Sequence, residues 1–316
     1  MHLECFHKNI VNNFVRQLIL THMKRHCNTI LMTLCLVVPV LFSCVKYGDQ
    51  PNKKLDYDQL DVSFQATLPK GYALEENSLF GIYATCTRDE KVNTNMAENS
   101  GIAKYTFTDD AIPYLYKSAE GEAVVGKRGD HNYKFYAFYP YDASVTDLSA
   151  IPVNIPATID WKADDTPDLT MLLAAQATVT SIIAPVPMTF EAVAQCRLTI
   201  RIPNTTVPVI KSLKVAPVKE SVFKGQLAWS GTYDIFEGKA TSNESSGSKS
   251  ITVNFGSGYT LPEGYTEISF VMGEFKYPSG GLQLQITKGD GTTITKKMFE
   301  ASEAFAAGSS KVYTLS

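Results

Sequence analysis

The sequence predicts an all-β protein built of β-sandwiches. Apolar and polar residues alternate in runs of five to nine residues from Leu60 onward, the period of a strand with one buried face. Clusters of Gly, Pro, Asn and Asp separate these runs, as antiparallel sandwiches require and a parallel α/β sheet does not. No segment keeps a 3.6-residue apolar period for more than about two turns.

Taken in order, the chain begins with a leader. Lys24 and Arg25 follow Met23, an apolar run extends from Ile30 to Phe42, and the small Ser43 precedes Cys44. Charged start, apolar middle and small residue at the cut make a secretory signal. A cysteine directly after the small residue is what lipoprotein maturation needs. Its thiol accepts a diacylglyceryl group, and cleavage between Ser43 and Cys44 makes Cys44 the first mature residue. Phe42 is bulkier than the usual residue at its place, a tolerated departure. An ordinary cleaved signal and a spanning helix are the competing readings. A spanning helix needs about 20 apolar residues, and this shorter run carries Thr33, Cys35 and Pro39. Met23 is the better translation start. Residues 1–43 are thus leader and signal, and 44–54 a lipid-anchored tether.

The strands follow. Leu60 to Leu68 alternates for nine residues and predicts one strand with a buried face. Tyr133 to Tyr139 is aromatic on both faces and belongs in the centre of a sheet. Arg197 to Ile202, Ile251 to Phe255 and Leu282 to Ile286 repeat the two-residue period. Lys288 to Gly291 then breaks it before Thr292 to Thr295, a hairpin turn in which glycine supplies the positive φ. Glu300 to Ala307 is a short helix or a loop. Thr178 to Pro187 links two strand-rich halves, giving β-sandwiches at 55–181 and 182–316.

Charge and composition exclude several functions. Residues 1–43 hold four of the 29 basic and one of the 32 acidic side chains, so the mature chain keeps 25 against 31, a net charge of −6. It has no basic tract, so nucleic-acid binding has no electrostatic footing. His131 is the only histidine after Cys44, and there is no CxxC or HExxH motif. Cys86 and Cys196 sit in apolar alternation, which favours buried thiols over a disulfide joining them.

The remaining candidates for chemistry have plainer readings beside them. Asp160, Asp164, Asp165 and Asp168 form an oxygen-rich loop of the kind hard cations favour. Their spacing departs from the Ca²⁺-loop pattern, and a solvated acidic loop is the simpler reading beside Ca²⁺. Asp56, Asp58 and Asp61 read as an exposed strand edge. Glu300 and Glu303 could pair as carboxylates, yet a glycosidase needs two such groups across a groove, and nothing around them marks one. His131 lies in a polar turn and reads as a surface residue. The sequence therefore points to no enzyme, no cofactor and no metal. The tyrosines fall mostly within strands, and exposed ones could form a platform for carbohydrate.

Leu79-Phe80-Gly81-Ile82-Tyr83-Ala84, followed by Tyr133-Lys134-Phe135-Tyr136-Ala137-Phe138-Tyr139-Pro140-Tyr141, resembles the paired "GIYA" and "FYAYYPY" motifs of the fimbrillins. These are subunits of the type V pili of Bacteroidales and related lipoproteins. The stretch from Asp168 to Ala175 and that from Val186 to Ile200 are similar to the family's domain junction, with Glu191-Ala192 in place of the usual Lys/Arg-His. Phe305 to Leu315 is similar to its closing strand. The resemblance covers most of the mature chain.

What it implies is two transthyretin-like β-sandwich domains in tandem, joined around Leu169 to Phe190. It also implies a non-catalytic structural or adhesive lipoprotein of the outer membrane, anchored through lipid on Cys44. Partners are other fimbrillin subunits, reached by strand complementation after a protease removes the first strand, here Leu60 to Leu68. Lys70 and Arg88 are the candidate cleavage sites, and Lys70 is better placed because Arg88 lies beyond the next strand. A subunit that keeps its lipid would serve as anchor or accessory, and a host or bacterial surface glycan or protein is a further partner. The alternative is an outer-membrane glycan-binding lipoprotein that presents aromatic residues.

Overall fold

The computed structural model describes residues 59–97, 101–161, 169–182, 185–243, 245, 247–275, 280–299 and 305–316. In chain order the strands are β1 (Gln59–Asp61), β2 (Phe64–Thr67), β3 (Leu79–Arg88), β4 (Lys91–Asn95), β5 (Ala103–Thr108), β6 (Tyr114–Lys117), β7 (Val125–Lys127) and β8 (His131–Tyr139). A 3-10 turn at Leu148–Ala150, capped by the Asp147 carboxylate, leads into β9 (Ile151–Ile155) and β10 (Thr158–Asp160). Then come β11 (Leu173–Val179), β12 (Val186–Thr189), β13 (Glu191–Ala192), β14 (Gln195–Pro203) and β15 (Val209–Pro217). The chain closes with β16 (Trp229–Asp234), β17 (Lys239–Ser242), β18 (Ile251–Thr260), β19 (Tyr265–Gly273), β20 (Leu282–Lys288), β21 (Thr293–Phe299) and β22 (Ser310–Thr314).

The largest sheet runs β12-β2-β6-β5-β3-β8-β11-β13, with β4 paired to the far end of β3. Alternation along each strand decides which side chains enter the first core. Phe64 and Ala66, Phe80 and Ile82, Tyr105 and Phe107, Phe135 and Ala137, and Leu173 and Ala175 all lie in it. The sheet curls over this core, because the Phe64 ring on β2 meets Phe135 on β8 at 5.3 Å and Tyr105 at 5.3 Å, both edge-to-face. That geometry sets the positive ring edge against a negative face and adds to the burial energy.

A second core collects the rest. A five-stranded sheet, β10-β18-β15-β20-β21, packs with two three-stranded sheets, β19-β14-β22 and β17-β16-β9. Leu198, Ile200, Leu213, Val253, Phe270 and Leu284 are among its fully buried side chains. Strand β8 serves both cores. Phe135 and Ala137 point into the first, while Phe138 belongs to the second and Tyr136 packs against it. This is why its sequence is aromatic on both faces, and its place between β3 and β11 is central as expected.

Gly81 on β3 pairs with Phe138 on β8, and a Cβ there would lie 2.2 Å from the Phe138 ring. The phenyl ring covers the glycine backbone and leaves room for no side chain. Gly81→Ala is therefore expected to cost about 1–3 kcal/mol through overpacking. A urea-denaturation midpoint measures it, and adding Phe138→Leu should recover part of the loss. Equal midpoints for Gly81→Ala and the parent would contradict this packing.

The structure refines several expectations. The alternation of Leu60 to Leu68 holds, but the segment forms two strands rather than one. β1 pairs with β7, the chain breaks at Val62 and Ser63, and β2 pairs elsewhere. Val62 stays on the β1–β7 side of the break: its N–H donates to Val124 O at 2.9 Å, in register with that pairing, while its side chain is buried. The hairpin after β20 forms as expected, with Gly291 at φ +86°. Of Glu300 to Ala307, expected as a short helix or a loop, residues 300–304 lie outside the described residues. Phe305 forms a bridge to Phe275 instead of helix. Cys86 and Cys196 are both free and buried, and burial pushes their thiols up to about 11 and about 12. Strands on either side of 181/182 share sheets: β12 and β13 pair with β2 and β11, and β9 and β10 pair with β16 and β18.

Candidate functional site

Strand β2 is the centre of the candidate site. On one edge it pairs in parallel with β12, Phe64 opposite Val186 and Thr67 opposite Thr189. On the other edge it pairs antiparallel with β6 through Phe64 and Gln65. Two further bonds close the ends of the slot: Val186 N–H donates to Ser63 O at 2.9 Å, and Phe190 N–H donates to Thr67 O at 2.8 Å. Val62, Phe64 and Ala66 fill the apolar floor. The Tyr105 hydroxyl fixes the strand in depth. It donates to Val62 O at 2.8 Å and accepts from Val124 N–H at 3.0 Å. Burial pushes this phenol far above its ordinary range.

Chemically, such a strand is a plug. Taken away, it would leave β6 and β12 with unpaired backbone groups beside an apolar slot, a combination that only another strand satisfies in both respects. Lys70 follows β2 in an exposed turn, with Gly71 at φ +75°. Just beyond, the Tyr72 hydroxyl accepts from Met171 N–H at 3.1 Å and donates to Met171 O at 3.3 Å. The chain is thus pinned after the turn, and Lys70 marks where β2 is joined to the rest.

Arg88 is placed differently. At the end of β3 its guanidinium grips Asp130 with two bonds, Nε to Oδ1 at 2.8 Å and Nη2 to Oδ2 at 2.7 Å. The Asp130 side chain is only 1% exposed and also accepts from Lys127 N–H at 2.8 Å. Burial alone would raise this carboxyl. The bonds from Arg88 and Lys127, with the Arg88 charge, outweigh burial and hold it below the usual carboxylate range. The turn around His131 reads as polar in the sequence, and nothing in it marks the partner of Asp130, 42 residues away.

The other expected positions scatter. Ser43 and Cys44 lie outside the described residues, as do Asp56, Asp58, Asp164, Asp165, Asp168, Glu300 and Glu303. Asp61 is exposed on β1, and His131 opens β8 at the surface. No group of three or more His, Cys, Asp or Glu gathers to hold a metal among the described residues. No helix among them is long and apolar enough to cross a membrane. Tyr105, Tyr133 and Tyr233 are buried. Tyr114 and Tyr116 sit on the outer side of β6 with ring centroids 5.7 Å apart, and Tyr116 is 37% exposed.

The fold and site define an all-β protein in which strand β2 is seated in a slot between β12 and β6. Residues 66–316 match the model of the fimbrillin-like family, and the chain belongs to that family. Membership makes it a structural subunit of the fimbria and adhesion class at the cell surface, one that assembles with other fimbrial subunits. Two crystal structures share its fold. A candidate cell adhesion protein from Bacteroides uniformis aligns with a TM-score of 0.56 at 20% identity, over 80% of this chain and 91% of that one. Another candidate cell adhesion protein, from Bacteroides ovatus, aligns with a TM-score of 0.56 at 17% identity, over 81% of this chain and 91% of its own. No curated protein sequence matches the chain.

Proposed function

We propose that the chain is a non-catalytic fimbrial subunit exported as an outer-membrane lipoprotein through Cys44. In this reading it is two tandem transthyretin-like sandwiches, 55–181 and 182–316, that exchange short strands across their junction. Assembly proceeds by strand donation. Cleavage after Lys70 releases β1 and β2, and a strand of the next subunit enters the slot between β6 and β12. The observation that carries the reading is β2 itself, paired on both edges and joined to the fold through an exposed basic turn. Arg88 is the poorer cleavage site, since its side chain is held by Asp130 and its backbone is paired within β3. If neither residue is cut, the lipid stays and the subunit is an anchor or accessory.

The test is to treat the purified mature chain with a trypsin-like protease. The expected outcome is one early cut after Lys70, identified by a new N-terminus at Gly71, followed by SDS-resistant ladders. Lys70→Gln should abolish both. Early cleavage elsewhere, or a clean Lys70 cut with no ladder at any concentration, would refute the strand-donation reading. The second reading, a glycan-binding lipoprotein, is favoured by the Tyr114–Tyr116 pair on an outer sheet face. Aromatic rings in such a pair offer flat apolar faces to a sugar. Polysaccharide binding that is lost in Tyr114→Ala and Tyr116→Ala would support it over subunit assembly.

A further inference from the structure

A cleft of about 440 Å³ lies where β11 and β13 of the first sheet meet the β16–β17 hairpin. Its depth comes from small residues, with Ala174, Ala192 and Ala240 along its wall. Two carboxylates line it, Glu191 on β13 and Glu274 just past β19, and among the described residues no Lys, Arg or His does. Glu274 receives one weak bond, from Ala307 N–H at 3.2 Å, and among the described residues neither carboxylate has a basic partner.

Tyr233 supplies the second, independent observation. Its ring packs in the second core and the residue is only 6% exposed. Its hydroxyl lines the cleft beside Gly238 and has no hydrogen-bond partner among the described residues. The ring is buried while the hydroxyl oxygen opens into the cleft, so its capacity to donate and accept is turned toward whatever occupies the cleft. Burial, then the charges of Glu191, Asp234 and Glu274, push this phenol up, so the acids face it. The Asp234 carboxylate is itself occupied by the Phe236 and Glu237 N–H groups.

We infer that this cleft binds an organic cation, an ammonium or guanidinium head on an apolar stem. The stem lies along the alanine wall, the head sits between Glu191 and Glu274, and one of its N–H groups donates to the Tyr233 hydroxyl oxygen. An uncharged ligand would leave the two carboxylates unneutralised. A bare divalent ion would lack the oxygen ligands it needs. The head has two sources with one chemistry: a lysine or arginine side chain of a partner protein, or a free diamine.

The test uses the full chain in detergent, titrated calorimetrically with cadaverine, agmatine, Nα-acetyl-lysine methylamide and the uncharged 1,5-pentanediol. The three cations should bind and the diol should not, and binding should weaken with added salt. Glu191→Gln combined with Glu274→Gln should weaken binding by about tenfold or more, and Tyr233→Phe by a few fold. Both glutamates are exposed, so the paired variant should keep the parent's unliganded thermal midpoint, which is measured alongside. Tighter binding of the lysine amide than of cadaverine assigns the cleft to a partner's side chain; the reverse order assigns it to a free diamine. Diol binding equal to cadaverine, affinity unchanged by the glutamine pair, or no cation binding at millimolar concentrations would overturn the inference.

Discussion

Phe64→Ala is expected to destabilise the uncleaved chain by about 3–5 kcal/mol, the usual cost of emptying a fully buried phenylalanine site. Phe64 has no exposed surface and meets two rings, Tyr105 and Phe135, that approach from different strands. Its removal would leave a cavity that neither ring can fill without leaving its own contacts. Urea denaturation should show the loss as a lower midpoint, with a smaller loss for Phe64→Leu, which keeps much of the apolar area. The same substitution should also speed the release of β2 once Lys70 is cut, because the strand's largest anchor is gone. An unchanged midpoint would mean that β2 is not seated in the folded chain at all.

The second large effect is expected at Asp130. Asp130→Ala leaves the Arg88 guanidinium partly buried without its carboxylate and leaves the Lys127 N–H without its acceptor. Breaking a buried pair from one side costs about 3–5 kcal/mol, and the 19% exposure of the Arg88 side chain, which lets water reach the stranded charge, sets the expected loss at the lower end. The pH dependence has a definite sign. The folded carboxyl lies below its unfolded value of about 3.9, so its contribution is complete above that value and is lost as pH falls through the folded pKa. The stability gap between parent and Asp130→Ala should therefore be widest near neutral pH and close under acid. A gap that widened on acidification would contradict the assignment.

Local periodicity made much of the fold legible. The alternation that placed Phe64 and Ala66 on one face, and the two-faced aromatic run that placed β8 centrally, depend only on neighbours two residues apart. What escaped was decided elsewhere in the chain. The break at Val62 and Ser63 separates pairing with β7 from pairing with β6 and β12, and the parallel pairings of β12 with β2 and β22 with β14 join distant segments. β1, β7 and β13 are two or three residues long, too short to show any period. β9 did carry a signal, since Ile151, Val153 and Ile155 alternate and all three are buried, but its partner β16 could not be read from it. The cleft was hidden for the same reason. Glu191, Tyr233 and Glu274 come from three strands or their ends, and no motif marks any of them.

The parallel pairing of β2 with β12 also bears on the order of folding. In a chain that emerges N-terminus first, β2 appears early, while Val186, its partner, follows only after most of the first sheet has been made. Closing so long a loop costs entropy before any bond repays it. β2 meets β6 sooner, so the β12 edge is among the last in the first sheet to close. A position filled late by its own chain stands open for longest to a strand from another.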